Sequence, residues 1–581
     1  MLQECIEVFE KELMENPNLI LDTYIPAEGT YLIVHQSGEI SRTEIVMDKK
    51  KHDVNREQKY FNEICFYDYY SKLIEMNKPM ESGKIIQSNN YYSFVVKKEN
   101  VENGKLNADV INNYYNTLAN PFSKYEKKPN AVKLYEMFSE DNPDIEIDIL
   151  EKHQQWIQDH IFCLEEYGVS LEKKDYLKIF FEADIDKYIT EWKRYVIPNI
   201  YNSTDYNVTV DDKIYGLPND NLGMNAKKPF LSVKTRKLAA SYLLDTDRVL
   251  VQKQFFDYLM NFAAVGSYNV FVDLSHMKIM GYDNTSLPHD SFSGFFLRLL
   301  KEKNEAAILH FDQIPYYIYS LKQKFSFINY MNYNHKNHED WNDDYKSYFN
   351  RNELQGLINE ILFSKCLLNN YFTPADKLSI NDGYLKWCII NYRDSIFNWI
   401  YKGIEEGIDS IFKELTLHMI KGTIQDGYNS KAVRQLNLRW SFINYFGGKD
   451  NMGNIIRDIQ TAIGNKINSK DTLELENDQQ YYFCVGQLIS FFLSMNKSKN
   501  TMQSLANPFF NAKRDEIIKE RLMQLYKKYN YNIDRKSKRF NNMYTMVLGY
   551  LPEGKVNQEI IIAGFLHSNL IYYKEDRNYD E

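Results

Sequence analysis

QQYYFCVGQLISFFLSMN, residues 479–496, is the stretch whose reading decides the fold. Its large apolar side chains recur at three- and four-residue intervals, without the alternation of a half-buried strand, so it reads as an amphipathic helix. DSIFNWIYKGIEEGIDSIFKELTLHMIKG (394–422) and RDEIIKERLMQLYKKYN (514–530) carry the same pattern. Several such helices in succession predict a bundle. Strand signals fade from about residue 346 onward.

Upstream the pattern changes. TYLIVHQSGEI (30–40) reads as a strand running into a Ser-Gly turn. GKIIQSNNYYSFVVKK (83–98) reads as a hairpin joined at Ser88-Asn89-Asn90. YNVTVDDKIYGLPNDN (206–221) suggests a short strand pair, and YNVFVDL (268–274) and AAILHFDQIP (306–315) suggest further strands. DVINNYYNTLANPFSKYEKKPN (109–130) looks like a helix stopped near Pro121 and followed by a basic loop; residues 136–152 turn acidic and read as a solvated connector. The fold class is therefore α+β. A mixed α/β N-terminal and central region (1–345) precedes an all-α C-terminal helical bundle (346–581), with the boundary in the polar NHKNHEDWNDDYKS run.

At 581 residues the chain exceeds one core. Its 44% hydrophobic and 26% charged content is ordinary for a soluble protein. The 46 tyrosines have two readings, codon bias or a functional excess of stacking groups. MLQECIEVFEKELMEN has helical spacing at Leu2, Ile6, Phe9 and Leu13 and no apolar core of a signal peptide. No apolar run reaches membrane-spanning length. Six dispersed cysteines without a C-x-x-C pair fit free thiols in a reducing cytoplasm, and no membrane partner is expected.

Familiar catalytic signatures are missing. The four Gly-Lys pairs continue with Ile85, Leu106, Asp450 and Val556, so none is a P-loop. There is no G-x-G-x-x-G and no G-x-S-x-G. His335, His338, Glu339, Asp343 and Asp344 form the best local metal-type cluster, with the two histidines sharing a face if helical. A hydrophilic interdomain loop is the preferred reading of that run, because no third ligand stands at helical spacing. No metal or other cofactor is expected, nor an enzyme.

Two cationic nodes stand out on a chain of net charge −9. KKPFLSVKTRK (227–237) holds Lys227, Lys228, Lys234, Arg236 and Lys237, and residues 221–240 contain no acid. Pro229 biases Lys228 toward an extended conformation, which would lay cations along phosphates. The second node spans residues 501–550, where ten Lys+Arg face four acids. Its contacts would be Lys513, Arg514, Arg535, Lys536, Lys538, Arg539 and Asn541, with Phe or Tyr available to stack or wedge. The bland alternatives are a solubilising loop for the first node and a basic helix face for the second.

NPFFNAKRDEIIKERLMQLYKKYNYNI (507–533), RFNNMYTMVLGY (539–550) and IIAGFLHSNLIYY (561–573), with YYFCVGQLISFFLSMNKSK (481–499) before them, resemble the C-terminal helical region of the large subunit of type I-B CRISPR Cascade complexes. KPFLSVKTRK (228–237) followed by GSYNVFVDL (266–274) resembles that family's central segment, and VINNYYNTLANPFSKYEKK (110–128) its N-terminal third. The zinc-finger C-x-x-C of many members has no counterpart near residues 200–221, so no zinc site is carried over.

The resemblance implies a non-catalytic subunit that reads the flanking motif (PAM) of double-stranded DNA, helps unwind it and helps recruit a helicase-nuclease in antiviral defence. The implied partners are CRISPR RNA, target duplex and displaced single strand, and the backbone, 5′-handle-binding and small subunits. Loops holding Lys49, Lys50 and Lys51, Asn89 and Asn90, and Asn120 and Lys124 are the candidates for reading the flank. Met419 or Met452 would serve as an internal start for a separate small subunit. The alternatives are a metal-dependent nuclease built on His335 and His338, or a structural protein docking acidic partners.

Overall fold

The computed structural model describes residues 2–48, 53–202, 204, 207–219, 243–301, 306–336, 338–447, 452–471, 473–496, 503–534 and 536–572. The chain divides into two compact units. One comprises residues 1–284 and 292–314, the other 285–291 and 315–581.

The first unit is built on β1 (Gly29–Val34), β2 (Ile40–Ile45), β3 (Ser93–Lys97) and β4 (Tyr176–Phe181), in the order β2-β1-β4-β3. GTYLIV is apolar almost throughout because β1 is a central strand. It runs parallel to β4, with Gly29 opposite Tyr176 and Val34 opposite Phe181, while the outer pairs are antiparallel. The long crossover from β1 to β4 carries α2 (Phe61–Ser71), α3 (Ala108–Ala119), α4 (Pro129–Asp141) and α5 (Ile147–His160), after the N-terminal α1 (Leu2–Glu15). The acidic stretch 136–152, expected as a connector, is therefore mostly helix. Leu134, Phe138, Leu150 and Ile157 are buried while its acids face outward.

α6 (Ile185–Asn199) follows β4, then β5 (Val208–Val210), β6 (Lys213–Gly216) and β7 (Leu244–Asp245) form a small antiparallel sheet. α7 (Thr246–Ala264) leads to a second four-stranded sheet. Its strands are β8 (Asn269–Asp273), β9 (Lys278–Tyr282), β10 (Phe292–Lys301) and β11 (Ala306–Tyr317), ordered β9-β8-β10-β11. β10 escapes sequence reading because FSGFFLRLLK lacks alternation.

Many tyrosines go inside. Tyr31, Tyr188 and Tyr195 are fully buried, and their hydroxyls donate to the carbonyls of Ala27 (2.8 Å), Tyr92 (2.7 Å) and Lys78 (2.9 Å). A buried phenol needs such an acceptor, so these rings are core residues with fixed orientation.

In the second unit β12 (Ser320–Ser326) pairs with β13 (Ser347–Asn350), and helices follow. The division at Ile314/Pro315 precedes the expected boundary near 345, because this strand pair belongs to the helical unit. The helices are α8 (Arg351–Ile361), α9 (Gly383–Lys402), α10 (Ile408–Gln425), α11 (Asn429–Tyr445), α12 (Met452–Asn468), α13 (Asp478–Ser494), α14 (Asp515–Tyr529), α15 (Lys538–Gly549) and α16 (Gln558–Leu566). α13, the stretch read first, is buried over most of its length. It crosses α16 where Gly486 meets Gly564: a methyl on Gly486 would overlap the Ile561 carbonyl, and one on Gly564 the Phe483 carbonyl. Gln487, beside the crossing, donates to the Gly564 carbonyl at 2.6 Å and accepts from Leu570 N at 2.7 Å.

Candidate nucleic-acid interface

In the first unit the segment 109–130 builds a basic cleft. α3 ends at Ala119, a single helical turn follows (Phe122–Tyr125), and Pro129 opens α4 at its first position, where its missing N–H costs nothing. This geometry leaves Lys127 and Lys128 exposed at the N-terminus of α4. They line a cleft of about 230 Å³ with Lys78, Asn130, Asn202 and Thr204. Lys128 is the N-cap of α4 and supplies no side-chain acceptor; Pro129 has no N–H and the Lys128 carbonyl accepts from Ala131 N (2.8 Å) and Val132 N (3.0 Å), which leaves the Asn130 amide at the positive end of the helix dipole. Lysines and the N-terminus of α4 thus converge on one concavity.

The electrostatics favour an anion there. The Lys78 ammonium donates to the carbonyls of Asn199 (2.7 Å) and Tyr201 (2.9 Å) and lies 3.7 Å from Glu75. Burial lowers it to about 8, with Glu75 opposing and Lys128 adding to the fall. Burial lowers the neighbouring Lys124 to about 7, assisted by Lys128 and Lys78. Lys127 and Lys128 make no ion pair with another described residue. A bound phosphate would relieve this crowding. Tyr201 also lines the cleft; it bridges Pro218, and its hydroxyl donates to the Leu244 carbonyl at 2.9 Å. Lys227, Lys228, Lys234, Arg236 and Lys237 lie outside the described residues, and so do Lys49, Lys50 and Lys51.

The expected hairpin at 83–98 shrinks to one bridge, Ile86 to Val96, preceding β3. Asn89 and Asn90, proposed from sequence as surface readers of a flank, are buried. Asn89 N donates to the Ser71 carbonyl at 3.1 Å and its Nδ2 to the Lys72 carbonyl at 2.7 Å. Asn90 Nδ2 donates to the Tyr70 carbonyl at 3.2 Å. Both side chains cap the end of α2 instead of extending a ladder, a competition that asparagine commonly wins. Lys124 is likewise committed, with Nζ 2.5 Å from the Pro79 carbonyl. Asn120 is exposed and closes α3 through its N–H to the Asn116 carbonyl.

In the second unit, Lys513 and Arg514 are exposed just before α14, and Lys527 and Lys528 are exposed in its last turn. Lys536 is exposed before α15, Asn541 is exposed on it, and Arg535 lies outside the described residues. Lys538 and Arg539 reach back to the end of α12: Lys538 Nζ donates to the Asn468 carbonyl at 3.1 Å, and Arg539 Nε to Asn468 Oδ1 at 2.6 Å. Phe540 cannot wedge between bases, because it is 1% exposed and stacked among Phe491, Tyr526 and Tyr544. Tyr531, on the turn between α14 and α15, is 75% exposed and presents a ring to solvent.

No protein-family model, curated protein or solved structure matches the chain.

The histidine cluster does not form a shared ligand face. His335 and His338 lie outside any helix. His335 is buried, with Nδ1 at 2.9 Å from Ser430 Oγ and Nε2 at 3.1 Å from the Tyr345 hydroxyl. Burial lowers it to about 4, so it is neutral at pH 7. His338 stacks on Trp341 at 4.1 Å. Among the described residues no group of three or more His, Cys, Asp or Glu side chains is placed to hold a metal ion, and no helix is long and apolar enough to cross a membrane.

Proposed function

We propose that the chain is a non-catalytic, nucleic-acid-binding large subunit of a type I-B CRISPR Cascade complex. In this reading it contacts the duplex beside the target, helps open it and stabilise the R-loop, and helps recruit the helicase-nuclease, while CRISPR RNA supplies sequence recognition by pairing. The observation that carries the reading is the lysine cleft at the start of α4. It lies where VINNYYNTLANPFSKYEKK resembles the family, and it sets the exposed Lys127 and Lys128 beside the N-terminus of a helix. The exposed cations flanking α14, with Tyr531 nearby in sequence, fit a second contact with a single strand. An internal start at Met452 would coincide with the first residue of α12, whereas one at Met419 would cut α10.

The test is reconstitution of the complex with and without this chain on a target duplex carrying varied flanks. Loss of flank-dependent duplex binding on omission is expected. Unchanged affinity without the chain would overturn the reading in favour of a structural docking role. Metal-dependent cleavage of single or double strands by the purified chain, abolished by His338→Ala, would overturn it in favour of a nuclease.

A further inference from the structure

A second concavity in the first unit, separate from the lysine cleft, carries buried charge. α2 ends at Ser71, and Lys72 leaves the helix in an extended conformation. Asp68, Ser71, Lys72, Gln87, Tyr176 and Lys178 line a pocket of about 210 Å³. Lys178 lies on β4, and its Nζ is 2.5 Å from Asp68 Oδ1. Asp68 Oδ2 accepts from the Tyr24 hydroxyl (2.8 Å), so both carboxylate oxygens are engaged.

The donors are not all satisfied. Ser71 is 1% exposed, and its Oγ has no hydrogen-bond partner. A helical serine ordinarily satisfies its hydroxyl on the preceding turn, and leaving it unmet is costly. Lys72 is exposed, and its ammonium sits 4.1 Å from the Tyr24 ring centroid without a hydrogen bond or ion pair to another described residue. Nearby, Asp257 is already engaged by Lys253 at 2.5 Å and by the Tyr69 hydroxyl at 2.9 Å. Three lysines therefore face two carboxylates, leaving one positive charge over.

The end of α2 would ordinarily repel an anion, because its last carbonyls are the negative end of the helix dipole. Here the Asn89 and Asn90 amides cover the carbonyls of Tyr70, Ser71 and Lys72. The two asparagines thus position the turn that carries the unmatched donors.

We infer that this pocket is an anion site that takes a phosphate group, held by the Lys72 ammonium and the Ser71 hydroxyl with Lys178 behind them. The volume accepts a phosphate but is below the roughly 300 Å³ at which pockets for larger organic ligands begin, so a nucleoside would stay outside. The inference stands apart from the Cascade reading, because inorganic phosphate and the phosphate of a nucleic-acid end share this chemistry.

The experiment titrates the full chain at pH 7 with inorganic phosphate, and with a short oligonucleotide bearing either a 5′-phosphate or a 5′-hydroxyl, by calorimetry. Saturable phosphate binding at one site is expected. Lys72→Gln should weaken it by about tenfold or more, and Ser71→Ala by a few-fold, with melting temperature held. A phosphorylated oligonucleotide binding far more tightly than its hydroxyl form and than inorganic phosphate identifies a strand end as the ligand; equal affinities identify free phosphate. Absence of saturable binding by either phosphate source overturns the inference. So does binding that Lys72→Gln leaves unchanged and Lys127→Ala/Lys128→Ala removes, since that places the anion in the lysine cleft.

Discussion

Replacing Lys127 and Lys128 together by alanine isolates the cleft's contribution to nucleic-acid binding. Both side chains are exposed and unpaired among the described residues, so folding loses little. Lys78 is left in place because its ammonium also holds the carbonyls of Asn199 and Tyr201. If each lysine meets one phosphate, the slope of log K against log salt on duplex DNA falls by about 1.8 for the pair. Over the interval from roughly 50 to 200 mM salt, that is a roughly tenfold smaller loss of affinity than in the parent complex. The assay is fluorescence anisotropy of the assembled complex on a labelled target duplex at several salt concentrations. Parallel lines for parent and variant would refute the phosphate-contact reasoning. So would a loss confined to certain flanking bases, because backbone contacts carry no sequence information.

Gly486→Ala should cost about 1–3 kcal/mol or more in urea unfolding, because α13 and α16 must separate to admit the methyl; a stability change near zero would contradict the close crossing. Lys178→Met should cost about 3–5 kcal/mol by leaving Asp68 charged and buried, and Asp68→Leu/Lys178→Met should recover much of that loss in the same assay. Lys124, held at about 7 when folded and near 10.5 when unfolded, binds fewer protons in the folded state between those values. Its contribution to stability is therefore complete above its unfolded value and lost as pH falls through about 7. Thermal melts from pH 6.5 to 9 should show a smaller rise in Lys124→Met than in the parent, and identical profiles would contradict the assignment.

The helices that dominate the second unit were legible because their apolar residues recur at helical intervals. α14 is the clearest, burying Ile518 and Leu522 while Lys527 and Lys528 stay outside. α11 was not legible. NSKAVRQLNLRWSFINY carries Arg434, Gln435, Asn437, Arg439 and Ser441, which periodicity assigns to solvent, yet all five are buried. Arg439 pairs with Glu559 at 2.5 Å, and Trp440 Nε1 donates to the same carboxylate at 3.1 Å. Arg434 lies over the Trp341 ring and pairs with Glu360 and Asp344. Partners that lie about a hundred residues away leave no local pattern.

The candidate site divides in the same way. Sequence alone determined which segments are cationic, because charge and the positions of Pro121 and Pro129 are local properties. It also determined that amphipathic helices build the C-terminal part. Tertiary structure alone decided which polar groups remain available. Asn89 and Asn90 read as an exposed turn until α2 presents its carbonyls to them, and Phe540, one of several rings available to stack or wedge, is enclosed by three aromatic rings. Conversely, Ser71 carried no signal, since an unmatched donor is defined by the neighbours that fail to meet it.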